Sequence, residues 1–191
     1  MAAQLPARSP EPRFTPSIDD ALFEHYKVVD DRKTGPQNVF LARIFHESTS
    51  IGVPTLHWAL VWPAYHLTPD KELQQGGWHM VDIQKKTSEP GAALGFRHQF
   101  KGNASVTTKV WDLDLLAENV PVNVRTVLMG YSEGWNGDAG GNCITCICDV
   151  VKELALVDGF LPHSAVTVMQ EARKAEMKDE RRRPYHEASA W

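Results

Sequence analysis

The chain has 191 residues, of which 42% are hydrophobic and 23% charged, and its formal net charge is −4. These values are typical of a soluble globular protein with one substantial hydrophobic core. A small negative charge gives no electrostatic reason to expect nucleic acid or an anionic membrane as a partner. The longest apolar runs are also shorter than the roughly 20 residues that span a bilayer, so no membrane span is expected.

The first residues and the cysteines bear on the cellular compartment. Residues 1–17 contain four prolines and lack the apolar core of a signal peptide, which predicts a disordered tail. Cys143, Cys146 and Cys148 are an odd number of closely spaced cysteines, which is not typical of a secreted disulfide framework. We therefore expect a cytoplasmic protein with reduced thiols.

Apolar and alternating runs predict the strands. Strand-like segments are residues 38–45, 55–62 and 78–83, with one or two further strands between residues 96 and 110. The second and third segments are expected to form an antiparallel hairpin, with Pro63 ending the second strand and a long Gln- and Gly-rich loop leading to the third. Residues 113–129 are predicted to form a short helix followed by a strand or a second helix.

The best helical periodicity lies between residues 142 and 157. Ile144, Ile147, Val151 and Leu154 follow one another at steps of three and four, which places them on one apolar face, and Gly159 is suited to end the helix. A final helix is predicted over residues 164–183, amphipathic at its start and highly charged at its end.

These elements predict an α+β fold, with an antiparallel sheet packed against a helix that begins at Cys143. The predicted organisation is a Pro-rich tail (1–17), a single α+β domain (18–163) and a charged C-terminal helix and tail (164–191). Strands that precede helices in the chain are typical of this fold class.

Cys143 is the candidate nucleophile. It follows the Gly-rich segment 137–142 and stands in the first turn of the predicted helix, where unpaired N–H groups and the helix dipole favour a thiolate. An arbitrary cysteine is more often a buried small hydrophobic residue, and we interpret Cys146 and Cys148 in that way. A zinc site lacks a second Cys/His pair at the usual spacing, and a redox Cys-x-x-Cys motif lacks its upstream βαβ unit. No metal and no cofactor are expected.

His57 is the candidate base. In a strand, His57, Ala59 and Val61 share one face and Trp58 shares the other, so His57 is buried on a central strand and needs a hydrogen-bond partner for each ring nitrogen. A thiol can satisfy one nitrogen and an acceptor from the neighbouring strand the other. Asp82 and His79 are the candidates for that acceptor, and they face opposite sides of the strand. We prefer Asp82 because a carboxylate stabilises an imidazolium.

The remaining site predictions concern the substrate pocket. The side chains expected to contact the substrate are Trp58, His79, Trp135 and Asn142. Three other histidines are placed in loop-like contexts and are predicted to lie at the surface: His66, His98 and His163.

The order of these segments resembles a known family. A His57-Trp58-Ala59-Leu60 strand followed by an Asn142-Cys143 helix start is similar to the circularly permuted papain-like proteins, the lecithin retinol acyltransferase-like and NlpC/P60-type group. The resemblance implies an antiparallel sheet packed on the cysteine helix, thiol hydrolase or acyltransferase activity, Cys143 as nucleophile and His57 as base. Residues 38–175 also resemble a fungal family of small proteins without an established activity.

The chain departs from the acyltransferases at two places. Asp82 stands where those enzymes often have histidine, although aspartate also supplies an acceptor. Ile144-Thr145 replaces the usual Glu-His. No membrane-anchoring C-terminal helix is expected either, which argues against a phospholipid as the substrate.

The sequence therefore predicts a cysteine-dependent hydrolase or acyltransferase that acts on an ester, thioester or amide of a small molecule. One alternative is a small-molecule-binding or cyclisation protein of a fungal biosynthetic pathway, with acid/base chemistry but no covalent intermediate. Another is an interaction module that uses its charged C-terminal helix. The sequence does not fix the oligomeric state.

Overall fold

Five antiparallel strands form one sheet in the computed structural model, which describes residues 26–30, 33–46, 55–85, 94–103, 111–123, 126–128 and 143–178. The strands are β1 (Gln37–His46), β2 (Thr55–Leu67), β3 (Leu73–Lys85), β4 (Leu94–Gly102) and β5 (Trp111–Val120). Their order across the sheet is β4-β3-β2-β1-β5, so β2 is the central strand. The predicted α+β class and the β2–β3 hairpin are confirmed.

Side-chain alternation along β2 divides the core into two layers. Trp58, Leu60 and Trp62 belong to the larger buried cluster, which the helices share. Ala59 and Val61 belong to a second cluster on the other face, and His57 has the same phase along the strand. The predicted division of faces is thereby confirmed.

Helix α1 (Cys143–Lys152) packs against β2 and β3. It continues as a π-helical turn, Glu153–Val157, and the four residues of the predicted apolar face are all buried. The helix ends at Gly159, whose φ of 63° is in the left-handed region, as glycine allows. The amides of Phe160 and Leu161 both donate to the carbonyl of Leu154, at 2.8 and 2.9 Å. The apolar face of α1 thus fixes where its first residue lies.

Helix α2 (Ser164–Lys178) is attached to the sheet through a buried carboxylate. Glu176 is fully buried and accepts a hydrogen bond from Trp58 Nε1 at 3.1 Å. Arg43 Nη1 lies 3.6 Å from Glu176, and Arg43 also donates two bonds to Asp114 on β5. Because a buried charge is costly without partners, this network fixes α2 against the sheet.

The hairpin between β2 and β3 differs from the prediction. β2 passes through Pro63 and ends at Leu67, and the Gln- and Gly-rich segment is part of β3 rather than a long loop. Pro63 is accommodated because the β1–β2 ladder extends only to Val61↔Phe40, so the missing N–H of proline interrupts no bond to β1. Gly77 in β3 is required by packing, since a Cβ there would collide with the carbonyl oxygen of Lys101.

The helix predicted near residue 113 is also wrong, because this segment forms β5. The run from Trp111 to Leu115 alternates apolar and acidic residues with the period of a strand, and it pairs with β1. A helical turn follows at residues 126–128, where the Asn123 side chain accepts the amide of Thr126 at 2.9 Å. The sheet therefore has five strands.

Two predicted terminal segments lie outside the described residues: the tail, 1–17, and residues 179–183 of the predicted C-terminal helix. Of the helices that the structure describes, none has the length and apolar character needed to cross a membrane. Helix α2 begins at Ser164, as predicted. It packs against β5.

Candidate functional site

The thiol of Cys143 lies at the start of α1, beside the first part of β2. Its side chain is half-buried, and Sγ is 3.7 Å from the carbonyl oxygen of Leu56. Leu56 immediately precedes His57, and the Cys143 thiol lies close enough to the imidazole to contribute to raising the pKa of His57. The structure therefore brings together two residues that are 86 positions apart in the chain.

His57 contacts an acidic side chain on the other side of its ring. Nε2 lies 2.9 Å from Asp82 Oδ2, and since an ionised carboxylate can only accept, Nε2 is the donor. Nδ1 is then the ring nitrogen left for the thiol. The three predicted catalytic residues thus lie near one another, with His57 bonded to Asp82 and the Cys143 thiol at the carbonyl of the residue that precedes His57.

The backbone explains how His57 and Asp82 come to face each other. The β2–β3 ladder runs from Leu67↔Leu73 to Leu60↔Val81. Beyond that pair, within the described strands, residues 55–59 pair with β1 and residues 82–85 pair with β4. The β2–β3 ladder therefore ends at this pair, and beyond it the side chains of His57 and Asp82 link the two strands.

Asp82 is fully buried and has further donors around it. Gln99 Nε2 lies 3.4 and 3.3 Å from the two carboxylate oxygens, and Arg97 Nη2 is 3.5 Å from Oδ2. Arg97 is the cross-strand partner of Asp82, so β4 supplies both side chains from the same face as Asp82. These donors compensate the cost of burying the carboxylate.

The environment of His57 favours its protonated form. Burial by itself lowers the pKa, but the hydrogen bonds to Asp82 and Cys143, with the charges of the same two residues, outweigh burial and raise the pKa from 6.5 to about 9. The imidazole is therefore protonated at neutral pH. A protonated histidine beside a sulfur is the partner that stabilises a thiolate.

Of the four residues predicted to contact the substrate, two are buried in the core and two lie outside the described residues. Trp58 and His79 are fully buried, and each is engaged within the core. Trp58 donates to Glu176, and His79 stacks on Trp62, so neither is exposed to contact a substrate. Trp135 and Asn142 lie outside the described residues.

His79 belongs to a separate polar cluster. Its Nδ1 lies 3.1 Å from Nε2 of His98, and the two rings stack at 5.4 Å between centroids. Desolvation lowers the pKa of His79 to about 3 and that of His98 to about 4. The prediction that His98 lies at the surface is wrong: it is buried on β4, since the pairing of β4 with β3 brings it beside His79.

The sequence analysis did not identify three residues that make polar contacts in the site or next to it: Arg97, Gln99 and Glu176. The first two were within reach, because Arg97 and Gln99 share one face of a strand-like run and Asp82 needs donors. Glu176 carries no local signal of its contacts with Trp58 and Arg43, since both residues are more than 100 positions away. Among the described residues, no group of three or more His, Cys, Asp or Glu side chains is arranged to hold a metal ion.

No protein-family model, curated protein or solved structure matches the chain. The resemblance to papain-like proteins therefore remains a hypothesis carried by a few residues. The geometry of Cys143, His57 and Asp82 is the independent basis for assigning chemistry.

Proposed function

We propose that the protein is a cysteine-dependent hydrolase or acyltransferase that acts on an ester, thioester or amide of a small molecule. The observation that carries the proposal is the hydrogen bond between His57 and the buried Asp82, with the Cys143 thiol beside them at the carbonyl of Leu56. A nucleophile, a base and a group that orients the base are the minimum set for covalent acyl transfer.

In the proposed first step, the Cys143 sulfur attacks the carbonyl carbon and forms a C–S bond. His57 gives its proton to the leaving oxygen, sulfur or nitrogen as the bond to that atom breaks. Asp82 holds the ring through Nε2 and stabilises the imidazolium. The backbone N–H of Cys143, at the first position of α1 and outside the helical ladder, is a suitable donor to the developing oxyanion.

The second step releases the acyl group. Water or an acceptor hydroxyl attacks the thioester carbonyl, His57 removes the proton from the attacking oxygen, and the C–S bond breaks to restore the sulfur. Hydrolysis and acyl transfer differ only in the identity of that attacking group.

Alkylation with iodoacetamide at pH 6 tests the nucleophile. A thiol with an ordinary pKa is only about 0.3% ionised at pH 6, so we expect Cys143 to react at least about tenfold faster than a cysteine in an unstructured peptide. Peptide mass spectrometry reports the rate at each cysteine. His57→Gln should slow the reaction at Cys143, whereas Cys148→Ala, which removes a buried cysteine of the same helix, should not.

Turnover of p-nitrophenyl acetate tests the covalent step. The proposal predicts an initial burst of one p-nitrophenol per protein, lost in Cys143→Ser and kept in Cys148→Ala. Slow alkylation of Cys143 together with no burst would contradict the proposal and favour the alternative of acid/base chemistry by His57 without a covalent intermediate.

A further inference from the structure

The solvent-facing charge next to the candidate site belongs to Arg97. Asp82 is 0% exposed, whereas the Arg97 side chain is 44% exposed. Arg97 Nη2 and His57 Nε2 contact the same atom, Asp82 Oδ2, at 3.5 and 2.9 Å. The guanidinium of Arg97 and the imidazole of His57 therefore contact the same carboxylate oxygen, and the Arg97 side chain is partly open to solvent.

The contact with Asp82 uses only one nitrogen of the Arg97 guanidinium. Arg97 has five N–H donors arranged in a planar fork that suits a carboxylate or phosphate. Only Nη2 reaches Asp82, and 3.5 Å is long for a hydrogen bond. Within the described part of the chain, Asp82 is the one acidic side chain paired with Arg97, which leaves the outer edge of the fork for a ligand.

A purely structural role would not require a charge at this position. Gln99, which is neutral and half-buried, already donates to both oxygens of Asp82 at shorter distances. An arginine adds a delocalised positive charge and bidentate recognition. Both properties are directed to solvent beside the reacting groups.

We propose that Arg97 binds an anionic group of the substrate, so that the preferred substrates are acyl compounds that carry a carboxylate close to the reacting carbonyl. This inference rests on the proposed function, because it assumes that Cys143 is the attacking atom. Arg97 then has two contacts, one with Asp82 behind the site and one with the substrate in front of it.

Two alkylating reagents of similar size test the proposal without knowledge of the substrate. In iodoacetate and iodoacetamide the Cys143 sulfur forms a bond to the same CH2 carbon and iodide leaves, but only iodoacetate carries a carboxylate. The ratio of the two rate constants at Cys143 cancels the intrinsic reactivity of the sulfur. We expect Arg97→Gln to lower the iodoacetate/iodoacetamide ratio by roughly fivefold to tenfold, as for the loss of a charge-assisted hydrogen bond.

Three comparisons sharpen the experiment. Arg97→Lys keeps the charge and should retain much of the ratio. Lys101→Gln removes a positive charge from the same face of β4, four residues and about 13 Å further along the strand, and should leave the ratio unchanged. In the wild-type protein, added salt should lower the ratio, since it screens an exposed charge.

The possible outcomes separate this inference from the proposed function. If Arg97→Gln slows both reagents equally, Arg97 only positions Asp82, and the anionic substrate is excluded while the nucleophile stands. An unchanged ratio in a folded Arg97→Gln protein, or a wild-type ratio that does not respond to salt, also overturns the inference. Slow alkylation of the wild type by both reagents overturns the proposed function and this inference with it.

Discussion

Two histidines on neighbouring strands have pKa values shifted in opposite directions. His57 and His79 are both largely removed from solvent, yet the pKa of His57 is raised to about 9 and that of His79 is lowered to about 3. Burial lowers the pKa of each. The difference lies in the partners, which are a carboxylate and a thiol for His57 and a second imidazole between aromatic rings for His79.

The pairing of β2 with β3 also differs between the surroundings of the two histidines. Around His79, β2 and β3 are paired, with one register shift after Ala64, and the histidine is part of the core. His57 lies beyond the end of this ladder, where polar side chains link the two strands. A buried histidine within the ladder indicates a structural role, whereas one beyond its end, with a thiol and a carboxylate, is suited to chemistry.

The largest expected effect comes from Asp82→Asn. Without the carboxylate, only Cys143 opposes the effect of burial, and the pKa of His57 should fall from about 9. NMR titration of the His57 ring measures this change. Alkylation of Cys143 at pH 6 should slow by about tenfold or more, because a neutral imidazole places no positive charge beside the sulfur.

The same substitution has a signature in stability. In the wild type, the folded-state pKa of His57 lies above its unfolded value, so its contribution to stability is fully present below pH 6.5 and is lost as the pH rises through 9. Asp82→Asn should remove this decline in urea unfolding, and Asp112→Asn on β5 is the control. A His57 pKa that stays near 9 in Asp82→Asn would show that the carboxylate does not set it.

The intermediate effect concerns the opposite face of β4, where His98 lies beside His79. The folded-state pKa of His98 is about 4, below its unfolded value of about 6.5, so its stability contribution is present above pH 6.5 and is lost as the pH falls through 4. Between these values the unfolded chain binds a proton that the folded chain does not. His98→Gln should therefore reduce the pH dependence of the unfolding free energy by up to about 1.4 kcal/mol per pH unit.

Urea unfolding at several pH values between 4 and 7 measures this slope. The exposed His163 provides the matched control, because His163→Gln removes a histidine that the core does not enclose. Equal slopes in the wild type and in His98→Gln would mean that His98 binds its proton without unfolding.

Only part of the difference between the surroundings of His57 and those of His79 could be predicted from the sequence. Alternation along β2 correctly placed His57 and Trp58 on opposite faces, and the three- and four-residue steps of α1 correctly gave its buried face. The burial of His98 depends on which strand β4 pairs with, and no local pattern specifies that pairing. The link from Glu176 to Trp58 spans 118 residues, so it too had to come from the structure.

Strand β5, in contrast, has a local signal in the sequence. The alternation from Trp111 to Leu115 indicates β5 as clearly as that of β2 indicates a strand. The end of the β2–β3 ladder at Leu60↔Val81, however, depends on the paths of both strands. Because neither strand fixes the path of the other, the contact between His57 and Asp82 could not be predicted from either segment alone.

The smallest expected effect tests what holds Asp82 once His57 is in place. Gln99→Met keeps the length of the side chain but removes the two bonds to the carboxylate, which should lower the free energy of unfolding by about 1–2 kcal/mol. Arg97 and His57 still contact Asp82, so the pKa of His57 should remain near 9 and the alkylation rate of Cys143 should stay close to that of the wild type. Chemical denaturation and the iodoacetamide assay measure the two quantities.

Gln75→Met provides the comparison for this variant, because the Gln75 amide donates to the carbonyl of Gly77 at 3.3 Å at the His79 end of the hairpin. Its loss should cost less stability than that of Gln99, since the Gly77 carbonyl carries no full charge. If Gln99→Met instead slows alkylation as strongly as Asp82→Asn, the carboxylate orients His57 only while β4 holds it in place. The site would then depend on three strands rather than on β2 and β3 alone.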